Sequence, residues 1–331
     1  MFILESYPVA VLFCFITMLC WGSWANTQKL TAGHWRFELF YWDYVLGILL
    51  FTLLLASTLG SVGEAGRPFL QDFRQASSSS LTSAFVGGII FNAANILLSA
   101  AIAIAGMSVA FPVGIGLALV IGVIVNYLAA PVGNPVMLFT GVGCIALAIL
   151  FNAYAFRKQA ASNQQASGKG LVLSIVSGSM MGLFYKYVAN SMVLDFSNPE
   201  PLKITPYTAL FIFSLGIFAS NLAFNSLLMR FPISGTRVRV TTYFKGSFRN
   251  HFVGVIGGAI WSLGMSFSIL ASEKAGPAIS YGLGQGATVV AALWGIYIWN
   301  EFKGASVAVQ RILNVMLVLY VVGLMVIILS R

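Results

Sequence analysis

Apolar residues run along this chain in ten long stretches, and polar residues are confined to the breaks between them. The stretches are 8–30, 39–60, 82–105, 107–130, 135–156, 170–193, 206–229, 252–272, 277–299 and 306–329. A helix that crosses the hydrocarbon core of a bilayer needs roughly 20 mainly apolar residues. The pattern therefore predicts an all-α membrane protein with ten transmembrane helices. Several breaks, such as 105 to 107 and 272 to 277, are so short that the flanking helices must be antiparallel neighbours. Gly276-Pro277 reads as a helix start, because proline at the first helical position gives up no intrahelical hydrogen bond.

The pattern also repeats. Sliding the chain by 170 positions without a gap brings Gly87-Gly88 onto Gly257-Gly258, Gly106 onto Gly276, Gly114 and Gly116 onto Gly284 and Gly286, and Tyr127 onto Tyr297. Phe91 falls on Trp261, Phe111 on Tyr281 and Pro112 on Gly282. Identities at this spacing, in stretches of matching hydropathy, indicate an internal repeat. The one low-complexity stretch, Arg157 to Gly168, divides five predicted helices from five. We therefore expect a first repeat at 1–156, a linker at 157–169 and a second repeat at 170–331. An odd number of helices per copy turns the second copy upside down. Such inverted five-helix repeats are an architecture of secondary transporters, whose solute site lies near the midplane between the halves.

Composition agrees: of 331 residues 59% are hydrophobic and only 8% charged, whereas a soluble domain carries about 25% charged residues. The net charge of +9 would suit nucleic acid, but the bases sit in short breaks between apolar stretches, where membrane topology and anionic headgroups account for them. The breaks after helices 1, 5, 7 and 9, with their helix ends, hold 12 Lys and Arg, and the opposite side holds 5. Basic residues collect on the cytoplasmic side, so both termini are expected outside. The first stretch lacks a basic leader and a small-residue cleavage site and reads as a retained helix. Cys14, Cys20 and Cys144 lie in apolar runs, and His34 and His251 make no zinc site, so neither a disulfide framework nor a metal is expected. Neither HExxH nor GxSxG occurs, which speaks against an intramembrane enzyme, and no filter sequence suggests a channel.

Several short motifs resemble known transporters. Trp21-Gly22-Ser23-Trp24 resembles the first-helix signature of the glucose/ribose porter branch of the drug/metabolite transporter superfamily. Asn92 to Gly106-Met107-Ser108 and Gly114 to Gly122 are similar to sugar-uptake and rhamnose–proton symporter members. The resemblance to plant ureide permeases is closer at Tyr41-Trp42-Asp43-Tyr44, Asn126-Tyr127, Gly141-Val142-Gly143-Cys144, Tyr207-Thr208-Ala209 and Trp294-Gly295-Ile296 with Glu301. Those permeases typically carry a longer central loop with a phosphate-loop-like motif; Ser167-Gly168-Lys169-Gly170 is not one, so nucleotide regulation does not carry over. The resemblance implies a drug/metabolite transporter fold of ten helices and proton-coupled uptake of a small neutral polar metabolite. A ureide, nucleobase or nucleoside, or a monosaccharide, would qualify; export of metabolites or amino acids on the same fold is the alternative. It also implies a multi-pass protein of the bacterial inner (plasma) membrane, needing no cofactor, with solute, protons and lipid as partners. Monomer and homodimer both stay open.

A neutral polar solute needs hydrogen-bond partners in place of water and flat aromatic faces for its apolar side. Asn92, Asn95 and Ser99 share one helical face, as do Trp21 and Trp24, and Tyr281 and Gln285. Helix–helix glue and interfacial belts are the commonplace uses of such residues. Substrate binding is assigned to Trp21, Asn92, Asn95, Tyr185, Lys186, Trp261, Tyr281 and Gln285. Lys186, the base that lies clearly within a predicted helix rather than near its end, either reaches the cavity or snorkels to the headgroups. Asp43, near the start of the second helix, is the candidate for proton coupling. Neither repeat is a phosphate loop: Pro112, Gly114 and Gly116, with Gly282, Gly284 and Gly286, are expected as hinges. No acid lies in the middle of the first helix, which argues against efflux of cationic drugs.

Overall fold

The computed structural model describes residues 1–31, 33, 35–105, 107–160, 168–300 and 304–331. Gly106, the linker residues 161–167 and Glu301 lie outside them. The helices are α1 (Tyr7–Thr31), α2 (Phe37–Ser57), α3 (Phe69–Gln75), α4 (Ser78–Ala105), α5 (Met107–Ala129), α6 (Pro135–Ala160) and α7 (Gly168–Ser191). They continue with α8 (Pro206–Arg230), α9 (Val240–Tyr243), α10 (Phe248–Ala275), α11 (Pro277–Gly284), α12 (Ala287–Leu293), a π-helical turn (Trp294–Ile298) and α13 (Val307–Leu329). Among the described residues nine helical stretches are long and apolar enough to cross a membrane, with Pro277–Ile298 taken as one. Val113–Ala129 of α5 is a shorter apolar helix.

Local chemistry sets the ends of these helices. Ser247 and Ser306 cap α10 and α13 by accepting from the backbone N–H of Asn250 and Val309. Pro206 and Pro277 open α8 and α11. Gly276 links α10 to α11 at φ +84°, a conformation that costs other residues a steric clash. Hydropathy missed two elements, α3 and α9, because short helices in polar breaks carry no long apolar run. It also joined 277–299 into one helix, whereas the chain breaks after Gly284.

Contacts between connections define two ends of the bundle. At one end, called here the terminal end, the Tyr7 hydroxyl donates to Ile328 O (2.6 Å), Asn134 N to Ser330 O (2.6 Å) and Tyr207 OH to Phe2 O (3.0 Å). At the other, the Arg36 end, Arg36 reaches the carbonyls of Ser234 (3.1 Å) and Thr236, and Lys169 Nζ donates to Ile233 O (2.5 Å).

Contacts between the helices fall into matching pairs. α4 packs on α7 as α10 packs on α1, and α4 on α8 as α10 on α2. α5 packs on α7 as α11 and α12 pack on α1, while α6 and α13 pair at the periphery. Glycine notches allow two of these contacts to bring backbones together. A Cβ on Gly88 would lie 2.0 Å from Phe213 O, and one on Gly258 would lie 1.9 Å from Tyr44 O. In return Gly216 faces Phe85 O and Gly47 faces Val255 O, each at 2.1 Å. Gly88 and Phe85 are 170 residues from Gly258 and Val255, but Gly47 and Tyr44 are 169 from Gly216 and Phe213. A gap-free slide misses that pair by one position.

Candidate functional site

The central cavity lies where the paired helices meet. Trp21 and Trp24 of α1, Phe91, Asn95 and Leu98 of α4, and Phe111 and Ile115 of α5 form one part of its wall. Met181 and Phe184 of α7, Trp261 of α10, Gln285 between α11 and α12, and Ala287 of α12 complete it. Of these helices, α1, α4 and α5 precede the 157–169 stretch, and α7, α10 and α12 follow it. The hollow has an open volume of about 390 Å³, of which about 30 Å³ admits the centre of a water molecule. It is therefore narrow, and aromatic walls fill most of the space a solute would take.

The aromatic core is a stack. Phe91 and Trp261, the repeat counterparts, have ring centroids 4.2 Å apart, and Trp21 lies parallel to Trp261 at 6.1 Å with planes 10° apart. Trp21 Nε1 donates to Trp261 O at 3.3 Å, which fixes its ring. Gly264 and Gly284 leave the room it occupies: a Cβ on either would stand 2.8–2.9 Å from the indole.

Gln285 owes its place to the helix break. After Gly284 the chain makes a turn at Gln285 and Gly286 before α12 begins, so the Gln285 side chain projects from a discontinuity in the bundle interior. The residue is 3% exposed, and among the described residues its amide has no hydrogen-bond partner. A buried amide with no partner costs free energy unless a solute or water satisfies it. Asn95 is also buried, and its Nδ2 donates to Tyr41 OH at 3.2 Å.

Of the eight residues expected to bind substrate, Trp21, Asn95, Trp261 and Gln285 line this cavity. The other four do not. Asn92 turns toward α2 and α8, accepting from Tyr41 OH (3.1 Å) and donating to Ser220 Oγ (2.9 Å). Tyr281 and Tyr185 form a layer behind the wall on the terminal side: Tyr281 OH donates to Met181 O (3.1 Å), and Tyr185 OH meets the hydroxyls of Ser268 and Ser280. Lys186 is exposed on the outer face of α7. One step of 100° from buried Tyr185 carries it outward, where the headgroups can hydrate its charge. Trp24, Phe91 and Phe184 complete the wall, and periodicity alone cannot separate cavity-facing aromatics from the packed core.

Of the expected hinges, the second copy breaks at Gln285–Gly286, directly after Gly284, while α5 runs unbroken through positions 112–116. Proline 112 stands close to the start of α5, where little helix precedes it to be bent.

Asp43 is buried and outside the cavity, toward the Arg36 end. It accepts from Tyr243 OH at 2.5 Å, and His251 Nδ1 stands 3.0 Å from both of its oxygens. These partners are 200 and 208 residues away, beyond any local pattern. Buried polar atoms without partners among the described residues include Gln28 Oε1, Ser99 Oγ and both amide atoms of Asn221.

Comparison with known proteins agrees with this architecture. The family profile described as ureide permease matches residues 40–171 and 164–330. Ureide permease 1 of Arabidopsis thaliana is 24% identical over 387 aligned positions, covering 100% of this chain and 99% of the relative. Ureide permease 2 of the same plant is 22% identical over 97% of this chain and 96% of its own. A probable ureide permease A3 of Vigna unguiculata is 28% identical over 50% of this chain and 45% of its own. A solved crystal structure superposes with a TM-score of 0.58 over 98% of both chains at 14% identity, a likeness of fold alone.

Proposed function

The chain belongs to the ureide permease family, and from that premise we propose that it is a proton-coupled importer of a small, neutral, ureide-type metabolite. It is a multi-pass membrane transporter rather than an enzyme, and homology to permeases named for ureides supports that class of cargo.

One observation carries the choice of solute: the unpartnered amide of Gln285 beside the Trp21–Trp261 stack. A primary amide presents a donor and an acceptor side by side, and a ring with adjacent N–H and C=O groups answers both. Parallel indoles suit the flat faces of such a ring. A monosaccharide needs more hydrogen-bonding groups than Gln285 and Asn95 offer in this mostly apolar wall.

Alternating access of two inverted five-helix repeats, 1–156 and 170–331 with the linker 157–169 between, is the mode of transport we infer. In its support, α1 starts at the terminal end beside Ile328, whereas α7 starts at the Arg36 end beside Ile233. Phe91 and Trp261 are also in direct contact, as counterparts are on a two-fold axis. The break after Gly284 is where we place a hinge. Import would carry solute from the terminal end to the base-rich Arg36 end, with both termini outside.

Uptake into proteoliposomes tests the assignment. Allantoin and uracil should compete with one another and saturate, while glucose and xylose should not compete. Trp261→Ala and Gln285→Ala should each weaken apparent affinity roughly tenfold, the loss of about 1–2 kcal/mol of contact. Unchanged affinity in both would place the site elsewhere. Inward accumulation that needs no proton gradient would overturn the coupling, and net outward pumping would favour an exporter.

A further inference from the structure

The repeat relates two short connecting helices that tie down opposite ends of the bundle. Advancing α3 by 170 positions gives 239–245, which brackets α9. α3 follows α2 as α9 follows α8, and each is fastened to the beginning of the second spanning helix of the other half.

At the terminal end the fastening is an ion pair. Asp72 of α3 is fully buried and accepts from Thr205 N (2.8 Å) and Thr205 Oγ1 (2.9 Å) at the start of α8. Arg67 Nε donates to the same carboxylate at 2.7 Å. Arginine keeps its charge at any ordinary pH, so this pair does not change with proton supply.

The Arg36 end carries the corresponding fastening with different chemistry. Here the carboxylate is Asp43 on α2, the connecting helix supplies the Tyr243 hydroxyl, and the partner at the start of α10 is an imidazole, His251. Burial, and then the Asp43 carboxylate, hold the Tyr243 phenol above its usual range, so it serves as a donor. Other charged groups on the adjoining segments are engaged or turned away. Arg36 pairs with Glu38 and reaches the 234 and 236 carbonyls, while Arg239, Lys245 and Arg249 are exposed. Among the described residues, His251 is the basic group in contact with the carboxylate.

We propose that Asp43, His251 and Tyr243 form a proton-operated clasp that closes the Arg36 end, so that only one of the two related fastenings responds to pH. With a neutral imidazole the cluster carries one buried negative charge, held by two hydrogen bonds from neutral donors. A proton taken up at His251 Nε2 makes a neutral ion pair with a charge-assisted bond, which is stronger and costs less to keep from water. Imidazole is the side chain whose charge changes between about pH 5 and 8. Closure therefore favours proton binding, and by reciprocity proton loss favours opening. The consequence for coupling rests on the transport reading above; the clasp itself does not.

The test uses the full chain in lipid nanodiscs without solute, in a background lacking Cys14, Cys20 and Cys144. Spin labels at Leu30→Cys and Lys245→Cys, both exposed at the Arg36 end, report the distance across the clasp. Raising pH from about 5.5 to 8.5 should increase a longer-distance population. His251→Gln and Asp43→Asn should remove that dependence. Should either fail to fold, Tyr243→Phe keeps the test, because loss of one hydroxyl should enlarge the long-distance population at low pH. A distribution that is the same at both pH values, or a Tyr243→Phe protein indistinguishable from the unsubstituted one, would overturn the clasp. In proteoliposomes His251→Gln should reduce accumulation driven by a pH gradient roughly tenfold, and undiminished accumulation would overturn the clasp's part in coupling. If the solute class is wrong, ureide uptake fails in the unsubstituted protein while the pH-dependent distance change remains.

Discussion

Gln285 and Asn92 are both buried amides in the heart of the bundle, and their surroundings give them opposite roles. Asn92 is bonded on both sides, to Tyr41 and Ser220, so its amide holds α2, α4 and α8 together. Gln285 lines the cavity, and among the described residues its side chain has no hydrogen-bond partner. Asn92→Ala should therefore lower thermal stability, by about 1–3 kcal/mol for the stranded partners, as read by unfolding in detergent. Gln285→Ala should leave the unfolding temperature nearly unchanged and show itself only in the binding constant for allantoin or uracil. An equal loss of stability in both would mean that Gln285 is structural too. Lys186→Gln, on the outer face of α7, should alter neither quantity by more than about 0.5 kcal/mol.

Helices here are held by what glycine leaves out. At Gly88 and Gly258 the neighbouring helix brings a carbonyl oxygen to within about 2 Å of where a Cβ would stand. Gly88→Leu or Gly258→Leu must push α8 or α2 away, at ~3 kcal/mol or more. We expect either protein to be lost from the monodisperse fraction on size-exclusion chromatography. At Gly282 an added Cβ would stop 3.1 Å from a Val123 methyl group, which need give only a few tenths of an ångström, so Gly282→Ala should fold. The break after Gly284 has a separate purpose: it frees the Gln285 side chain from a continuous helix face and aims it inward. Gly286→Ala, whose Cβ would meet the Met18 methyl at 2.8 Å, should hinder that turn and slow transport more than it destabilises the fold.

For the molecule as a whole, basic residues and the two ends defined by contacts agree. The end that gathers 231–247 holds Arg230, Arg237, Arg239, Lys245 and Arg249, and the terminal end is much poorer in Lys and Arg. If that end is cytoplasmic, a cysteine at Lys245 in intact cells should resist a membrane-impermeant maleimide, and one at Glu64 should react. The reverse labelling would invert the topology and with it the direction of import. The two ends also differ in how they are closed, by Asp72 with Arg67 at one and by Asp43 with His251 at the other.

What the sequence by itself determined follows from rules of short range. Hydropathy over about 20 residues located the spans, and the slide by 170 positions identified Phe91 with Trp261, the pair that meets at the centre. Residue types and helical faces singled out eight residues, of which Trp21, Asn95, Trp261 and Gln285 line the cavity. The same faces did not tell that Asn92 and Lys186 stand outside that cavity, because a helix in a bundle has several sides and composition does not show which one borders a hollow. Only the tertiary structure decided that His251 meets Asp43 across 208 residues, that Tyr185 and Tyr281 stand one layer back, and that the chain breaks at Gln285. The physical reason is that a span is specified by its own transfer from water to lipid. A site is specified by which atoms are left without partners once all the spans have packed.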